Sequence, residues 1–220
     1  MQHPFIRNHQ FNLIQKQTGL LRQACGTAAD PKVVESVRYG ALQQITDMFP
    51  EATDEQRHAL ERISSLQTAP EFAQYLQDLE PGRTAFSSLT DKQLQKLFPK
   101  AKKLKGPNRD EIDLRHVTYL GWTDIASNKM YLVYEARGRL VGIEGRFTPA
   151  GKKSTCFLCN RQEEVALFTA ITKTKPAGAS PDYYKAIGNY LCADSEVCNK
   201  NITNVAVLEK FISEVTGIVW

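Results

Sequence analysis

The first third of the chain carries apolar residues at helical spacing. Between Phe5 and Ala24 they recur about two turns apart, which predicts a long amphipathic helix that stops near Gly26. Short connections between four such helices favour an antiparallel helical bundle over residues 1–82. Three further helices are predicted from capping signals at their first residues, which are Asp30 with Pro31, Thr53 with Gln56, and Ala69 with Pro70.

The apolar pattern changes to a period of two beyond residue 117. Alternating or continuous apolar runs predict strands over residues 117–122, 130–136, 140–147, 165–172 and 189–192. Arg137 and Gly138 separate two of these strands and predict a hairpin turn. Before them, a capping box at Thr90 predicts a short helix, and a stripe from Ile202 to Val215 predicts one terminal helix. The fold class is therefore α+β, with a mixed α/β domain over residues 89–220.

Charge separates the same two regions. Residues 1–88 contain 8 Lys and Arg against 10 Asp and Glu, net −2, whereas residues 89–220 contain 20 against 14, net +6. Pro81, Gly82 and two serines lie at the change of sign, which favours a domain boundary there. The basic half is expected to meet an acidic partner or an RNA surface. Its lysine-rich run at residues 100–105 fits a solvated loop or a site for acidic protein or phosphate.

Two close cysteine pairs lie in the basic half. Cys156 and Cys159 form one pair, Cys192 and Cys198 form the other, and about thirty residues separate them. This spacing is typical of a treble-clef or ribbon-like site in which four thiolates bind one zinc ion. Four protein ligands leave no position open for water, so the predicted zinc is structural. A redox pair or a disulfide remains the alternative.

The remaining features argue against a membrane protein and against the common enzyme classes. No apolar run approaches the length of a membrane-spanning helix, and the amino terminus lacks the features of a secretory signal, so we expect a cytoplasmic protein. The sequence contains neither the His-x-Glu motif that a zinc deaminase requires nor a P-loop. These features predict a two-domain zinc-containing binding protein that is not an enzyme.

Three segments resemble a known family. They are CFLC at residues 156–159, VALF at residues 165–168 and GNYLC at residues 188–192, following a helical amino-terminal half. In this order they resemble the elongation factor G-binding proteins, the FusB-type fusidic acid resistance family. The family's last zinc ligand is a cysteine or a histidine, and Cys198 stands at that place here. Either side chain preserves tetrahedral coordination.

The resemblance implies a translation factor that binds the carboxy-terminal domains of elongation factor G through its zinc domain. Such a protein would release elongation factor G·GDP from the post-translocation ribosome, including ribosomes stalled by fusidic acid, and would leave the drug unchanged. Its contact with the ribosome would be indirect, it would not bind a membrane, and we expect a monomer.

A binding face is expected around the zinc. Phe157 occupies the tip of a tight turn held by the metal, where an aromatic ring meets a partner without losing side-chain freedom. Tyr184, Lys185, Tyr190 and Phe211 are candidates to extend this face. The opposing interpretation places Phe157 in the core, and Phe211 in the apolar stripe of the terminal helix.

Two rival functions remain at this stage. The net +6 half and its lysine run fit an RNA-binding protein associated with the ribosome. An enzyme that modifies fusidic acid is the other rival, and it predicts a change in the mass of the drug.

Overall fold

The computed structural model describes residues 4–101, 104–108, 111–174, 178, 180 and 182–220. The chain forms two compact units, of which the first runs to Thr84 and the second from Ala85 to Trp220. Among the described residues, no helix is both long enough and apolar enough to cross a membrane. Part of the lysine-rich run, at residues 102 and 103, lies outside the described residues.

The first unit is helical, as the periodicity predicts. Its helices are α1 (Asn8–Thr27), α2 (Pro31–Asp47), α3 (Asp54–Glu61) and α4 (Ala69–Leu79), with single 3-10 turns at Arg62–Ser65 and Glu80–Gly82. The predicted capping box at Thr53 is confirmed, because its backbone N–H donates to the Gln56 side chain at 3.0 Å and its hydroxyl accepts from the Gln56 N–H at 3.3 Å. Asp30 likewise accepts from the Lys32 N–H at 2.9 Å.

The first helix differs from its predicted bounds at both ends. It begins at Asn8 because the N–H groups of Phe5 and Ile6 donate to the carbonyl of Gly82, at 2.8 and 2.9 Å, instead of joining the helix. It also continues through Gly26 to Thr27. The apolar residues at its start therefore belong to a short extended segment that pairs with the end of this unit.

A buried arginine closes the first unit. Arg83 is only 6% exposed, and its guanidinium donates to the Asn8 side chain at 2.7 Å and to the Glu80 carboxylate at 3.1 Å. The same guanidinium lies 4.3 Å from the centre of the Phe11 ring. These contacts satisfy a buried charge, and they tie the last residues of the unit to its first helix.

The second unit is built on a five-stranded antiparallel sheet in the order β1-β2-β3-β4-β5. The strands are β1 (Tyr119–Asp124), β2 (Lys129–Ala136), β3 (Arg139–Thr155), β4 (Gln162–Ile171) and β5 (Ala186–Cys192). The predicted hairpin turn is confirmed, since Arg137 and Gly138 have φ values of 51° and 72°. Positive φ at both central residues matches the twist of the flanking strands.

Helices pack on both faces of this sheet. On one face α5 (Asp91–Leu97) and the following Phe98 cover Tyr131 and Val133. On the other face α7 (Ala206–Thr216) buries Leu208, Phe211, Ile212 and Val215 against the main core of the unit. Burial on both faces explains why β2 reads as a nearly continuous apolar run.

The predicted terminal helix is confirmed, but it begins at Ala206 and not at Ile202. A separate helix, α6 (Ser195–Asn201), precedes α7, and Asp194 caps it by accepting from the Glu196 N–H at 2.8 Å. Its seven residues include few apolar side chains, so the hydrophobic period does not reveal it. This helix carries Cys198, one of the four clustered cysteines.

Burial of His9 gives the first unit a dependence on pH. Burial, with a smaller contribution from the charge of Arg7, lowers the pKa of His9 from 6.5 to about 4. The unfolded chain therefore takes up this proton at a higher pH than the folded protein, so protonation favours unfolding. The contribution of neutral His9 to the free energy of unfolding is fully present above about pH 6.5. It is lost as the pH falls towards about 4, and the total loss is about 3 kcal/mol.

Denaturant unfolding followed by circular dichroism at about pH 7 and about pH 5 tests this expectation. The wild-type protein should lose about 2 kcal/mol more stability over this range than His9→Gln, because the glutamine does not titrate. The exposed His58 provides the matched control, and His58→Gln should behave as the wild type. Equal losses in His9→Gln and the wild type would contradict the assignment.

Candidate metal centre and adjoining surface

Four cysteines from three separate elements meet in the second unit. Cys156 and Cys159 lie in the turn between β3 and β4, Cys192 ends β5, and Cys198 lies in α6. Their sulfur atoms all lie within 4.8 Å of one another, and all four residues are buried. Both predicted cysteine pairs therefore meet at one site, and α6 carries the fourth sulfur, that of Cys198.

The distances between sulfurs fit a tetrahedral ion. Cys156 Sγ lies 3.8 Å from Cys198 Sγ, and Cys159 Sγ lies 3.6 Å from Cys192 Sγ. Four sulfurs at about 2.3 Å from a zinc ion at tetrahedral angles are about 3.8 Å apart. The same distances are far too long for disulfides, and all four cysteines are free thiols.

Four thiolates in one buried site fit a bound cation. Hydrogen bonds with the Cys156, Cys159 and Cys192 thiols, and then burial, raise the pKa of Cys198, while hydrogen bonds from the other thiols lower the pKa of Cys156. Four buried negative charges repel one another. A divalent ion offsets that repulsion, so the donor set fits zinc with four thiolates.

Backbone N–H groups stabilise the sulfur of Cys156. The N–H groups of Leu158 and Cys192 lie 3.4 and 3.3 Å from this sulfur and donate to it. The turn that presents them is closed by the Asn160 N–H, which donates to the Cys156 carbonyl at 2.9 Å. Asn160 has a φ of 55°, a left-handed conformation that asparagine tolerates well. Such donors reduce the negative charge on a thiolate ligand.

Asn199 fixes the helix that carries Cys198. Its side-chain oxygen accepts from the N–H groups of Thr118 and Tyr119 at 2.8 and 3.2 Å, and its amide donates to the Tyr119 carbonyl at 2.9 Å. Because Asn199 directly follows Cys198, these bonds set the position of that ligand. Asn199 could not be predicted from the sequence, because its partners are about 80 residues away and no local pattern indicates them.

A close approach between α6 and β1 supports the same contact. The Ser195 hydroxyl donates to the Gly121 carbonyl at 2.7 Å. A Cβ atom at Gly121 would lie only 2.9 Å from the Cβ of Ser195, so a larger residue would push the helix away. Glycine at this place in the strand allows α6, and with it Cys198, to reach the site.

The hydroxyl of Tyr119 faces the same cluster. Tyr119 is fully buried, and within the described part of the chain its hydroxyl has no hydrogen-bond partner. Burial, together with the nearby Cys198 sulfur, raises the pKa of this hydroxyl well above its usual value. It therefore stays an O–H group that is available to a thiolate.

The cations that flank the cysteines along the chain lie at the surface. Lys152, Lys153, Arg161 and Lys200 are all exposed. Lys200 pairs with Glu196 at 2.8 Å. The N–H groups of Leu158 and Cys192, and not these side chains, are the donors that contact the Cys156 sulfur in the described residues.

Phe157 occupies the middle of the metal-binding turn. Its ring is half-buried and packs edge-on against Phe211, with ring centres 5.6 Å apart. Phe211 in turn packs against Phe168 at 5.9 Å and is only 3% exposed. The structure thus places Phe211 in the core behind Phe157, as the alternative interpretation expected, and not on the surface as a direct contact. The apolar stripe of α7 explains this burial.

The other predicted contact residues lie along β5. The Phe157 N–H donates to the Tyr190 carbonyl at 2.8 Å, so the turn is attached to the edge of this strand. Tyr190 is 44% exposed and Tyr184 is 73% exposed, and Lys185 is also exposed. Tyr184 and Lys185 come just before β5, about 17–20 Å along the chain from Tyr190. The five candidates therefore do not form a single compact patch.

A helical unit followed by an antiparallel sheet with a four-cysteine knot defines a treble-clef zinc protein. Two family models match the chain, "Elongation factor G-binding protein, N-terminal" over residues 5–87 and "FBP C-terminal treble-clef zinc-finger" over residues 95–215. The chain belongs to the elongation factor G-binding protein family, and its cysteine cluster is a zinc site.

A solved structure of the fusidic acid resistance protein FusC is similar to this chain. The two share 28% sequence identity with a TM-score of 0.79, and the match covers 96% of this chain and 98% of that one. No curated protein sequence matches the chain significantly. The resemblance inferred from the cysteine and strand motifs is therefore confirmed at the level of the family.

Replacing Asn199 should weaken zinc binding without removing a ligand. Asn199→Ala loses three hydrogen bonds to β1, so Cys198 is held less well, and we expect zinc affinity to fall by about 10- to 100-fold. Competition with a chromogenic chelator measures this directly. Asn201→Ala is the matched control, because Asn201 lies in the same helix and, among the described residues, its side chain bonds only to the Val197 carbonyl of that helix. Equal affinities in the two variants would contradict the role of Asn199.

Proposed function

We propose that this protein binds elongation factor G through its zinc-finger unit and promotes release of elongation factor G from the ribosome. Membership of the elongation factor G-binding family supports the choice of partner. The similarity to the fusidic acid resistance protein FusC supports a role on ribosomes stalled by fusidic acid. The two regions, residues 1–82 and 89–220, would act as separate domains, in a cytoplasmic monomer that meets the ribosome only through its partner.

The observation that carries the proposal is the position of Phe157. Two metal ligands flank it in the chain, its N–H is bonded to Tyr190, and its ring rests on Phe211. A half-buried ring held in this way loses little conformational freedom on binding, which is a property of interface hot spots. Tyr190, whose carbonyl accepts this bond, is exposed, and Phe211 supports the Phe157 ring from the core.

The rest of the proposed interface follows β5. Tyr184 and Lys185 would extend the contact towards the start of the strand, where both are exposed. Elongation factor G would meet this edge with its carboxy-terminal domains. A positive unit, net +6 over residues 89–220, favours acidic surface on the partner and speeds their association.

Release follows if binding favours one state of the partner. A ligand shifts an equilibrium only by its differential affinity for the two states. The protein would therefore bind elongation factor G more tightly in a conformation that does not fit the drug-locked ribosome. The zinc would hold the interface without taking part in chemistry, because four thiolates leave no position for a substrate. Fusidic acid would be left intact.

Phe157→Ala should weaken binding to elongation factor G by on the order of 30-fold, as expected for a hot-spot residue worth about 2 kcal/mol. Calorimetric titration with purified elongation factor G measures the affinity, and zinc content should remain one ion per chain. Tyr39→Ala removes a 70% exposed ring from the first unit and should leave the affinity unchanged. Unchanged affinity in Phe157→Ala, with Tyr39→Ala as reference, would reject the interface.

The same variants test the release step. Ribosomes stalled with elongation factor G and fusidic acid are sedimented with and without the protein, and the factor left in the pellet is measured. We expect the wild type and Tyr39→Ala to deplete the pellet and Phe157→Ala to be impaired in proportion to its affinity. Mass spectrometry of the recovered drug should give its original mass. An altered mass would point to the enzymatic alternative.

A further inference from the structure

One face of the sheet is covered only in part. On the face that carries Tyr131, α5 and Phe98 cover the strands at the β1 side. Towards β5 the same face presents the aligned residues Lys129, Arg146, Thr169 and Gly188, one from each of β2 to β5. A neighbouring row consists of Thr148, Leu167 and Tyr190. We call these two rows the open face. Three of its residues, Arg146, Gly188 and Tyr190, are exposed to solvent.

A cleft of about 970 Å³ lies where the open face meets the end of α5. Four cations line it, namely Lys100, Lys129, Arg146 and Lys173. Glu144 is the one acidic residue among the described lining residues, and Lys129 pairs with it at 3.1 Å. In the described part of the chain, no carboxylate pairs with Lys100, Arg146 or Lys173. The cleft therefore carries an excess of positive charge that a polyanion would offset.

Aromatic and polar groups accompany these charges. Tyr184 lines the cleft with 73% of its surface exposed, and Tyr190 is exposed on the open face. Ser127, Asn128 and Thr172 add hydrogen-bonding side chains to the lining. Exposed rings next to unpaired cations are the combination that binds single-stranded nucleic acid, because bases stack on the rings while phosphates meet the cations.

We propose that the cleft and the open face bind a short stretch of single-stranded RNA. Phosphates lie against Arg146, Lys173 and Lys100, and a base stacks on Tyr184. An acidic peptide would match the charge but would make no use of the exposed rings. A duplex would hide its bases from them. The RNA site shares Tyr184 and Tyr190 with the interface proposed for elongation factor G, whereas Arg146, Lys173 and Lys100 lie outside that interface. The three cations therefore distinguish the RNA site from the proposed function.

Fluorescence anisotropy with a labelled single-stranded oligouridine of about 12 nucleotides tests the proposal. The wild-type protein should bind it with an affinity that falls steeply with salt, by a slope of about −0.7 per phosphate contact. The double variant Arg146→Gln with Lys173→Gln should lose two contacts, and its slope should become shallower by about 1.4. At about 0.1 M salt this corresponds to an affinity lower by on the order of 20-fold.

Two controls separate charge from stacking. Arg139→Gln with Lys210→Gln removes the same charge from exposed residues outside the cleft, and should keep the wild-type affinity for RNA. Tyr184→Ala should lose about 5- to 100-fold in affinity, whereas Tyr184→Phe, which keeps the ring, should bind like the wild type. A labelled RNA duplex and a polyglutamate peptide should bind more weakly than the oligouridine.

Binding to elongation factor G distinguishes this site from the proposed interface. The double variant at Arg146 and Lys173 should have a lower affinity for the oligouridine but an unchanged affinity for elongation factor G. Failure of the wild type to bind oligouridine at about 0.1 M salt would overturn the proposal. So would equal binding by the double variant and its control, or preference for the acidic peptide. If the wild type does not bind RNA and the double variant loses affinity for elongation factor G, the cleft would belong to the interface with elongation factor G instead.

Discussion

Four thiolates cannot share a buried site without a cation, and this constraint organises the second unit. The zinc joins the turn between β3 and β4, the end of β5 and the short helix α6, which strand pairing and a shared apolar core also hold together. Zinc binding in small domains contributes about 10–16 kcal/mol near neutral pH, which is comparable to the stability of an entire domain. Metal binding is therefore expected to contribute a large part of the stability of this region.

The same constraint connects the metal to the surface. Phe157 lies between two ligands and Tyr190 lies two residues before a third, so residues proposed for binding are neighbours of residues that hold zinc. The bond from the Phe157 N–H to the Tyr190 carbonyl joins the turn to the strand, and Phe211 supports the ring from the core. A partner would meet an interface that is already ordered, which lowers the entropy lost on binding.

Local patterns in the sequence were sufficient for most of the fold and for the metal ligands. Paired cysteines reveal themselves by spacing, the capping box at Thr53 by its residues, and the hairpin by Arg137 and Gly138. Features that depend on distant contacts were not visible. Asn199 bonds to a strand about 80 residues away, and Arg83 meets Asn8 at the other end of its unit. The helix α6 is too short and too polar to show a hydrophobic period. The burial of Phe211 depends on which strands α7 packs against.

The proposed binding of elongation factor G requires zinc as a structural element, because the metal ligands hold the turn that carries Phe157. The most direct measurement removes the zinc with a strong chelator and titrates the metal-free chain with elongation factor G, while circular dichroism follows the helices of the first unit. Binding should be lost while much of the helical signal remains, and adding one equivalent of zinc should restore it. Undiminished affinity in the metal-free protein would contradict the central claim, because the interface would then form without its metal.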